Sequence, residues 1–195
     1  LGEVATVSYG VQKSPLNRPG SHPRPYLRVA NVQRGELDLR EIKLINVPDV
    51  EMPTYRLEHG DLLVCEGNSA DLVGRPALWR NEIPDCVHQN HILKVRLDRQ
   101  KAVPEYVLEY MHTLPARTYF RSRAKFTTNL ASINSNDLRE LLLPLPPLEV
   151  QQELAAAVAK QREQIVTLKS AVEDQTAQSI LDVEAVIRGE KVHYE

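Results

Sequence analysis

Residues 149–187, EVQQELAAAVAKQREQIVTLKSAVEDQTAQSILDVEAVI, contain neither glycine nor proline. Within them, mostly apolar side chains recur at alternating spacings of four and three residues, which is typical of a coiled-coil seam. This seam consists of Leu154, Val158, Gln161, Ile165, Leu168 and Val172. The rhythm weakens at Gln175 and Ser179 and then recovers. The pattern predicts one long helix that ends near Gly189, since glycine commonly terminates helices.

The length of this helix predicts a partner. At 1.5 Å per residue it is roughly 58 Å long, whereas a domain formed by the preceding residues is only about 30–40 Å across. We therefore expect the seam to pack on another long helix, with Leu154, Val158, Ile165, Leu168 and Val172 as the dimerisation residues. The alternative is a surface helix that folds back across its own domain.

Residues 1–148 have a different character, with short apolar runs separated by turn-forming residues. Strands are predicted at Tyr26–Val32, Leu62–Cys65, Ala77–Trp79 and Ile92–Leu97. Short helices are predicted at 104–111, at 115–121 and at 135–141, the last with Ser135, Asn136 or Asp137 as its N-cap. The fold class is thus α+β. We divide the chain into a compact mixed β-sheet domain (1–148), a long coiled-coil helix (149–188) and a tail (189–195).

Composition excludes several classes of protein. Apolar residues make up 42% and charged residues 26% of the chain, which argues against disorder. No apolar run approaches the roughly 18 residues that a membrane span needs, and the start shows no signal-peptide pattern. Cys65 and Cys86 are too few for a disulfide framework, so we expect reduced thiols and a cytoplasmic location.

The charge is unevenly distributed along the chain. Residues 1–148 carry 19 Lys and Arg against 17 Asp and Glu, whereas residues 149–195 carry 5 against 9. Of the 19 basic residues, 14 are Arg, the side chain better suited to bidentate contact with phosphate and guanine. This bias by itself is a weak indication of a nucleic-acid partner.

Motifs of common enzymes are absent from the sequence. It has no G-x-G-x-x-G and no G-x-x-x-x-G-K-[ST], and it lacks the N/D-P-P-Y motif of adenine methyltransferases. No P-D…E-x-K nuclease motif occurs either. We therefore predict no catalytic residues, no cofactor and no metal. A zinc site formed by Cys65, Cys86, His88 and His91 is an alternative, but the spacing is poor and buried core thiols are the simpler interpretation.

Three segments carry side chains that suit DNA recognition. They are residues 12–24, residues 66–75 followed by 88–91, and residues 117–129. Asn and Gln pair with adenine, Arg pairs with guanine, and the cations of the third segment contact phosphates. The predicted DNA-binding residues are Lys13, Asn17, Arg18, Arg24, Asn68, Ser69, Arg75, Gln89, Asn90, Arg117, Arg121, Arg123, Lys125 and Asn129.

Each segment also has a purely structural interpretation. A polar loop is usually a solvated loop, and Asn68, Gln89 and Asn90 are residue types that satisfy turn backbones. The third segment is the most specific, because residues 117–125 hold four cations and no carboxylate. Such a run is self-repulsive without an anionic partner.

The order of several motifs resembles the specificity subunits of type I restriction-modification systems. The motifs are 26–35 (YLRVANVQRG), 57–64 (LEHGDLLV), 67–69 (GNS) with 74–75 (GR), 133–135 (INS), 143–152 (LPLPPLEVQQ), 179–181 (SIL) and 188–190 (RGE). No single motif is decisive, but their order and spacing cover essentially the whole chain.

This resemblance implies a target recognition domain followed by a conserved spacer helix. It implies double-stranded DNA, adenine methyltransferase subunits and restriction (translocase) subunits as partners, and no catalysis by the chain itself. A full specificity subunit has two such halves, which read a bipartite site. One half here implies either a homodimer with a palindromic target or one part of a longer subunit. The rival interpretation is a coiled-coil protein-interaction module that reads no DNA.

Overall fold

The computed structural model of the chain describes residues 1–14, 20–69, 72–128 and 130–189. The chain divides into two compact units, Leu1–Gln152 and Glu153–Glu195. The first unit contains all of the strands and short helices of these residues, and the second consists of the greater part of one long helix.

The first unit is built around a four-stranded antiparallel sheet in the order β1–β8–β4–β6. Its strands are β1 (Ala5–Tyr9), β4 (Leu62–Cys65), β6 (Pro76–Leu78) and β8 (Ile92–Leu97). Every residue of β4 is buried, and alternate side chains belong to different apolar clusters. A strand covered on both faces has a continuous apolar sequence, which explains the run LLVC.

Two smaller sheets complete the strand structure. One has the order β3–β2–β7 and contains β2 (Pro23–Leu27), β3 (Lys43–Asn46) and β7 (Val87–His88). The other has the order β5–β10–β9 and contains β5 (Gly67–Asn68), β9 (Lys125–Phe126) and β10 (Ala131–Ser132).

The strand predicted over residues 26–32 is wrong in its second half. β2 ends at Leu27, and Val29–Asn31 form a short 3-10 helix. The buried Asn31 side chain accepts a hydrogen bond from the Arg28 amide at 2.8 Å and donates one to the Asp38 carbonyl at 2.7 Å. These local side-chain bonds compete successfully with strand pairing.

Five α-helices are present among the described residues: α1 (Met52–Tyr55), α2 (Pro104–His112), α3 (Leu114–Arg123), α4 (Ser135–Arg139) and α5 (Leu148–Ile187). Proline occupies the first turn of α2 and of α3, where no amide donor is needed. The cap of α4 is Asn134 and not one of the three residues predicted. Its side chain accepts from the Asn136 and Asp137 amides, and the Asp137 carboxylate accepts from the Asn134 amide, a reciprocal capping box.

The main apolar core lies between one face of the four-stranded sheet and helices α2, α3 and α4. A second cluster, which includes Trp79, packs on the other face. A third surrounds Tyr26 and Val47. The predicted α+β class, with small helices and a long C-terminal helix, is confirmed.

Gln151, in the first turn of α5, is completely buried in the first unit. Its side-chain oxygen accepts a hydrogen bond from the Val103 amide at 2.9 Å. Its side-chain nitrogen donates to the carbonyls of Pro146 at 2.8 Å and of Lys101 at 3.2 Å. The amide is thus bonded at both ends and holds the first turn of α5 against the segment that precedes α2.

No helix within the described ranges combines the length and the apolar character needed to cross a membrane.

Candidate nucleic-acid interface

Val11, the residue before the first predicted recognition segment, forms a parallel bridge with Gln89 of the second. The Val11 amide donates to the His88 carbonyl at 2.7 Å, and the Asn90 amide donates to the Val11 carbonyl at 3.0 Å. Gly10 makes this approach feasible, since a Cβ atom there would lie 2.1 Å from the His88 oxygen. The exposed Lys13 lies two residues after Val11, the residue that bridges to Gln89.

Glu66 connects this junction to the second segment. Its amide donates to the His91 carbonyl at 3.0 Å, and its carboxylate pairs with His91 Nδ1 at 2.8 Å. The Glu66 carbonyl in turn accepts from the Ile133 amide at 2.9 Å. Glu66 therefore bonds both to the 88–91 loop and to the chain that returns from β10.

The β5–β10–β9 sheet connects the basic segment to Glu66 and its neighbours. Gly67 and Asn68 of β5 pair with β10, which pairs with Lys125 and Phe126 of β9. Three segments that are far apart in sequence are thus joined edge to edge by backbone hydrogen bonds. We name this surface the loop junction, defined as residues 11–13, 66–69, 88–91 and 125–132 without Asn129.

Helix α3 leads into the loop junction and carries three of the predicted cations. Arg117 and Arg121 are exposed. Arg123 lies over the Tyr119 ring and pairs with Asp137 of α4 and with Glu140, the residue after this helix. Residues 117–125 contain no carboxylate, but the fold brings these two carboxylates to Arg123.

Two other predicted arginines are held inside the first unit. Arg24 pairs with Asp49 and Asp85. Arg75 is only 8% exposed, and its guanidinium donates to the Val29 carbonyl at 3.0 Å. These contacts involve the terminal nitrogens, and the Nε atom of each arginine is buried without a hydrogen-bond partner among the described residues.

The remaining predicted residues divide into those that are described and those that are not. Within the loop junction, Gln89 and Asn90 are half-buried and Ser69 is exposed. Asn17, Arg18 and Asn129 lie outside the described residues. The DNA-contacting role of all fourteen residues stays a prediction.

Cys65 and Cys86 are both buried in the second apolar cluster, as core thiols. Burial raises the pKa of both thiols, that of Cys86 to about 12. His88 is also buried, with Nδ1 bonded to the Ile92 carbonyl, whereas His91 is exposed. In the part of the chain that the structure describes, no group of three or more His, Cys, Asp or Glu residues is arranged to hold a metal ion.

Residue-by-residue reasoning on the sequence did not identify Val11 or Glu66 as the positions that join the segments. Their contribution comes from backbone amides and carbonyls, which every residue type provides. The one local signal is Gly10, because a glycine beside a strand marks a close approach of two backbones.

Helix α5 presents its apolar seam to solvent. Leu154, Ile165, Leu168 and Val172 are exposed, and Val158 is half-buried. Further along, Ile180, Leu181, Val183, Val186 and Ile187 are also exposed. A contiguous exposed apolar surface of this kind is typical of a protein contact.

The fold is that of known specificity subunits. A chain of the type I R-M system, solved in a study of its complex assembly and conformational transition, matches with a TM-score of 0.66 and 22% identity. The match covers 91% of this chain and 41% of that one. The HsdS subunit from Thermoanaerobacter tengcongensis matches with a TM-score of 0.62 and 21% identity, over 87% of this chain and 38% of its own.

Sequence relatives agree with the fold, although no family model matches the chain. The type I restriction enzyme MjaX specificity subunit named in Methanocaldococcus jannaschii is 27% identical over 76% of this chain and 35% of its own length. The EcoKI specificity subunit of Escherichia coli is 25% identical over 89% of this chain and 36% of its own length. The StySPI specificity subunit of Salmonella potsdam is 26% identical over 82% of this chain and 34% of its own length.

The chain is thus related to type I restriction enzyme specificity subunits, and the resemblance predicted from its motifs is confirmed. It spans about a third of the length of the curated relatives it matches.

Proposed function

We propose that this chain is the sequence-reading half of a type I specificity subunit. Residues 1–148 form a target recognition domain that reads one half of a bipartite DNA site. Residues 149–188 form a helix that pairs with a second long helix and sets the distance to the other half-site. The chain itself carries out no catalysis in this proposal.

The observation that carries the proposal is the loop junction. Its residues 12–13, 66–69, 88–91 and 125–128 belong to the three segments that the sequence predicts to read DNA. Their meeting on one surface is what a groove-reading site requires. Amide side chains from one part and cations from another provide base contact and phosphate contact together.

The proposed contacts follow from exposure and charge. Lys13, Arg117, Arg121 and Lys125 contact phosphates, and Gln89 and Asn90 contact base edges. Ser69 and Asn68, with Asn17, Arg18 and Asn129, complete the predicted set. Arg24, Arg75 and Arg123 also form bonds within the first unit, and their DNA contacts stay predictions.

The partners proposed are double-stranded DNA, an adenine methyltransferase subunit and a restriction subunit that uses the same scaffold, all in the cytoplasm. The exposed seam of α5 contacts a second recognition half. That half is either another copy of this chain or a further part of a longer subunit.

The decisive experiment is co-expression of this chain with the methyltransferase subunit of its own locus, followed by mapping of methylated adenines in the host DNA. A bipartite palindromic motif supports DNA reading by a homodimer. An asymmetric motif that requires a second recognition domain supports DNA reading by half of a longer subunit. If no complex and no motif are found, the proposal is wrong and a protein-interaction module is favoured.

A matched pair of variants tests the surface. Arg117→Ala removes one exposed cation of α3. Arg80→Ala removes an exposed cation that follows β6, near the start of β4, whereas Glu66 follows the end of β4. Each phosphate contact contributes about 0.9 to the slope of log affinity against log salt. We expect Arg117→Ala to reduce this slope by roughly that amount and Arg80→Ala to leave it unchanged. Equal slopes for both variants contradict the assigned surface.

A further inference from the structure

Phe126 is an exposed aromatic side chain in a molecule that has few of them. The chain contains two phenylalanines and one tryptophan. Phe120 and Trp79 are both 1% exposed, whereas Phe126 is 60% exposed. Aromatic rings are among the side chains that gain most from leaving water, so the exposed Phe126 ring is available for contact with another molecule.

The backbone around Phe126 is well defined. In the β9–β10 pair, Phe126 lies opposite Ala131, so the two side chains share a face of the sheet. Ala131 is buried in the main core, and Phe126 continues that face into solvent. The turn is closed by a hydrogen bond from the Thr127 amide to the Leu130 carbonyl at 2.8 Å.

The hairpin is also seated on its neighbour, β5. A Cβ atom at Gly67 would lie 3.5 Å from Leu130 Cδ2, which places the Leu130 side chain directly over the Gly67 backbone. Leu130 therefore has a packing partner in the sheet. Among the ring contacts of the described residues, none involves Phe126.

The charges around the hairpin favour a polyanion as the occupant. Lys125 is exposed next to Phe126, and Arg117 and Arg121 are exposed on the helix that leads into β9. The nearby carboxylates are occupied. Asp137 and Glu140 pair with Arg123, and Glu66 pairs with His91.

We propose that Phe126 contacts base edges of the target duplex while Lys125 contacts its phosphate backbone. The two residues alternate in direction along β9, which suits a strand edge that lies against a groove. An aromatic ring is an apolar partner for the 5-methyl group of thymine. Because the ring is uncharged, it cannot form an ion pair with phosphate, whereas Lys125 can. This inference rests on the proposed function and adds a specificity-determining residue to it.

The test uses the complex of this chain with its methyltransferase subunit and two duplexes, one with the mapped motif and one with the motif scrambled. Affinities are measured by fluorescence anisotropy over a series of salt concentrations. We expect Phe126→Ala to weaken binding to the motif duplex at least tenfold and to leave the scrambled duplex and the salt slope unchanged. Lys125→Ala weakens both duplexes and reduces the slope by about one.

Two further variants keep the result interpretable. Phe126→Leu retains an apolar side chain and part of the discrimination. Leu142→Ala removes an apolar side chain that is 83% exposed outside the loop junction, and it has no effect on either duplex. Thermal unfolding of each variant confirms that the fold is intact.

The outcomes separate the two proposals. If the wild-type complex discriminates between the duplexes and Phe126→Ala discriminates equally well, only this inference is overturned. It is also overturned if Phe126→Ala weakens both duplexes to the same extent. If the wild-type complex binds both duplexes equally, the proposed function fails and this inference fails with it.

Discussion

Most leucine, isoleucine and valine side chains are buried in the first compact unit and exposed in the second. In the first unit, side chains such as Leu62, Leu93 and Ile92 are completely buried in clusters formed by the unit itself. In the second unit, Ile165 and Leu168 of α5 are more than half exposed. Because the same residue types occur in both units, residue type does not explain this difference in exposure. The first unit buries these side chains within itself, whereas the seam of α5 is exposed.

The two units differ in the source of their stability. Stability of the first unit comes from internal burial, which grows with the number of layers packed together. A single long helix has no second layer, and its apolar seam is stabilised only when another helix packs against it. Each prediction below perturbs one side of this comparison.

The largest expected effect is on association through the seam. Leu168→Asp places a charge at a position that would be desolvated between two helices. We expect it to weaken association of the chain, with a second copy or with a second recognition half, roughly a thousandfold, which corresponds to about 4 kcal/mol. Analytical ultracentrifugation measures this association.

Val166→Asp is the matched control for the seam. Val166 is 66% exposed, almost the same as Leu168 at 65%, but it lies off the seam. We expect Val166→Asp to associate as the wild-type chain does. If both variants associate equally well, the seam is not the contact, and helix pairing does not explain why its side chains are exposed.

A smaller effect is expected where α5 enters the first unit. Gln151→Leu removes a buried amide and leaves the Val103 amide and the Lys101 and Pro146 carbonyls without their partner. An unsatisfied buried polar group costs about 1–3 kcal/mol, so we expect a loss of about 3 kcal/mol in the free energy of unfolding. Urea denaturation followed by Trp79 fluorescence measures it.

Gln152→Leu makes the same chemical change at the exposed neighbour. We expect it to change the unfolding free energy by less than about 0.5 kcal/mol. Similar losses for both variants would mean that the bonds of Gln151 do not stabilise the first unit.

The smallest of the three effects is a dependence on pH that is confined to the first unit. Burial lowers the pKa of His88 to about 4, and the nearby Lys94 charge adds to this shift. Below its unfolded pKa of about 6.5 the unfolded chain takes up a proton that the folded chain does not. His88 therefore contributes stability that is present at neutral pH and is lost as pH falls from about 6.5 towards 4, with roughly 2 kcal/mol lost by pH 5.

His88→Gln removes this titration. We expect the unfolding free energy of the wild-type chain to fall more steeply between pH 7 and pH 5 than that of the variant. Helix α5 serves as an internal comparison, because its described side chains beyond Gln151 include no buried titratable group. Parallel pH profiles for the wild-type chain and His88→Gln would contradict the assigned role of His88.

Several elements were predictable because their signals are local. The strand Ile92–Leu97, the helix start at Pro104 and the long helix α5 lie where periodicity and proline placed them. The motifs were sufficient for the family resemblance, which the relatives confirm. Local signals failed where a side chain replaced backbone pairing, as Asn31 does after β2 and Asn134 does before α4.

The candidate site was only partly predictable. Composition identified polar and cationic segments, but it did not distinguish cations paired within the domain from exposed ones. Arg75 and Arg117 are the same residue type, yet one bonds to the Val29 carbonyl and the other is exposed. The exposed Phe126 was likewise indistinguishable in sequence from the buried Phe120, six residues earlier.

The sequence by itself determined the class of fold, the long helix with its seam and the relation to specificity subunits, because periodicity, turn residues and motif order are properties of neighbours along the chain. The tertiary structure alone decided which arginines bond to distant carboxylates and carbonyls, as Arg24 and Arg75 do, and that three distant segments form one loop junction. The loop junction depends on backbone hydrogen bonds between residues far apart in sequence, such as Val11 with His88 and Glu66 with His91. Every residue except proline has the same backbone donor and acceptor, so residue identity carries no information about which of them pair.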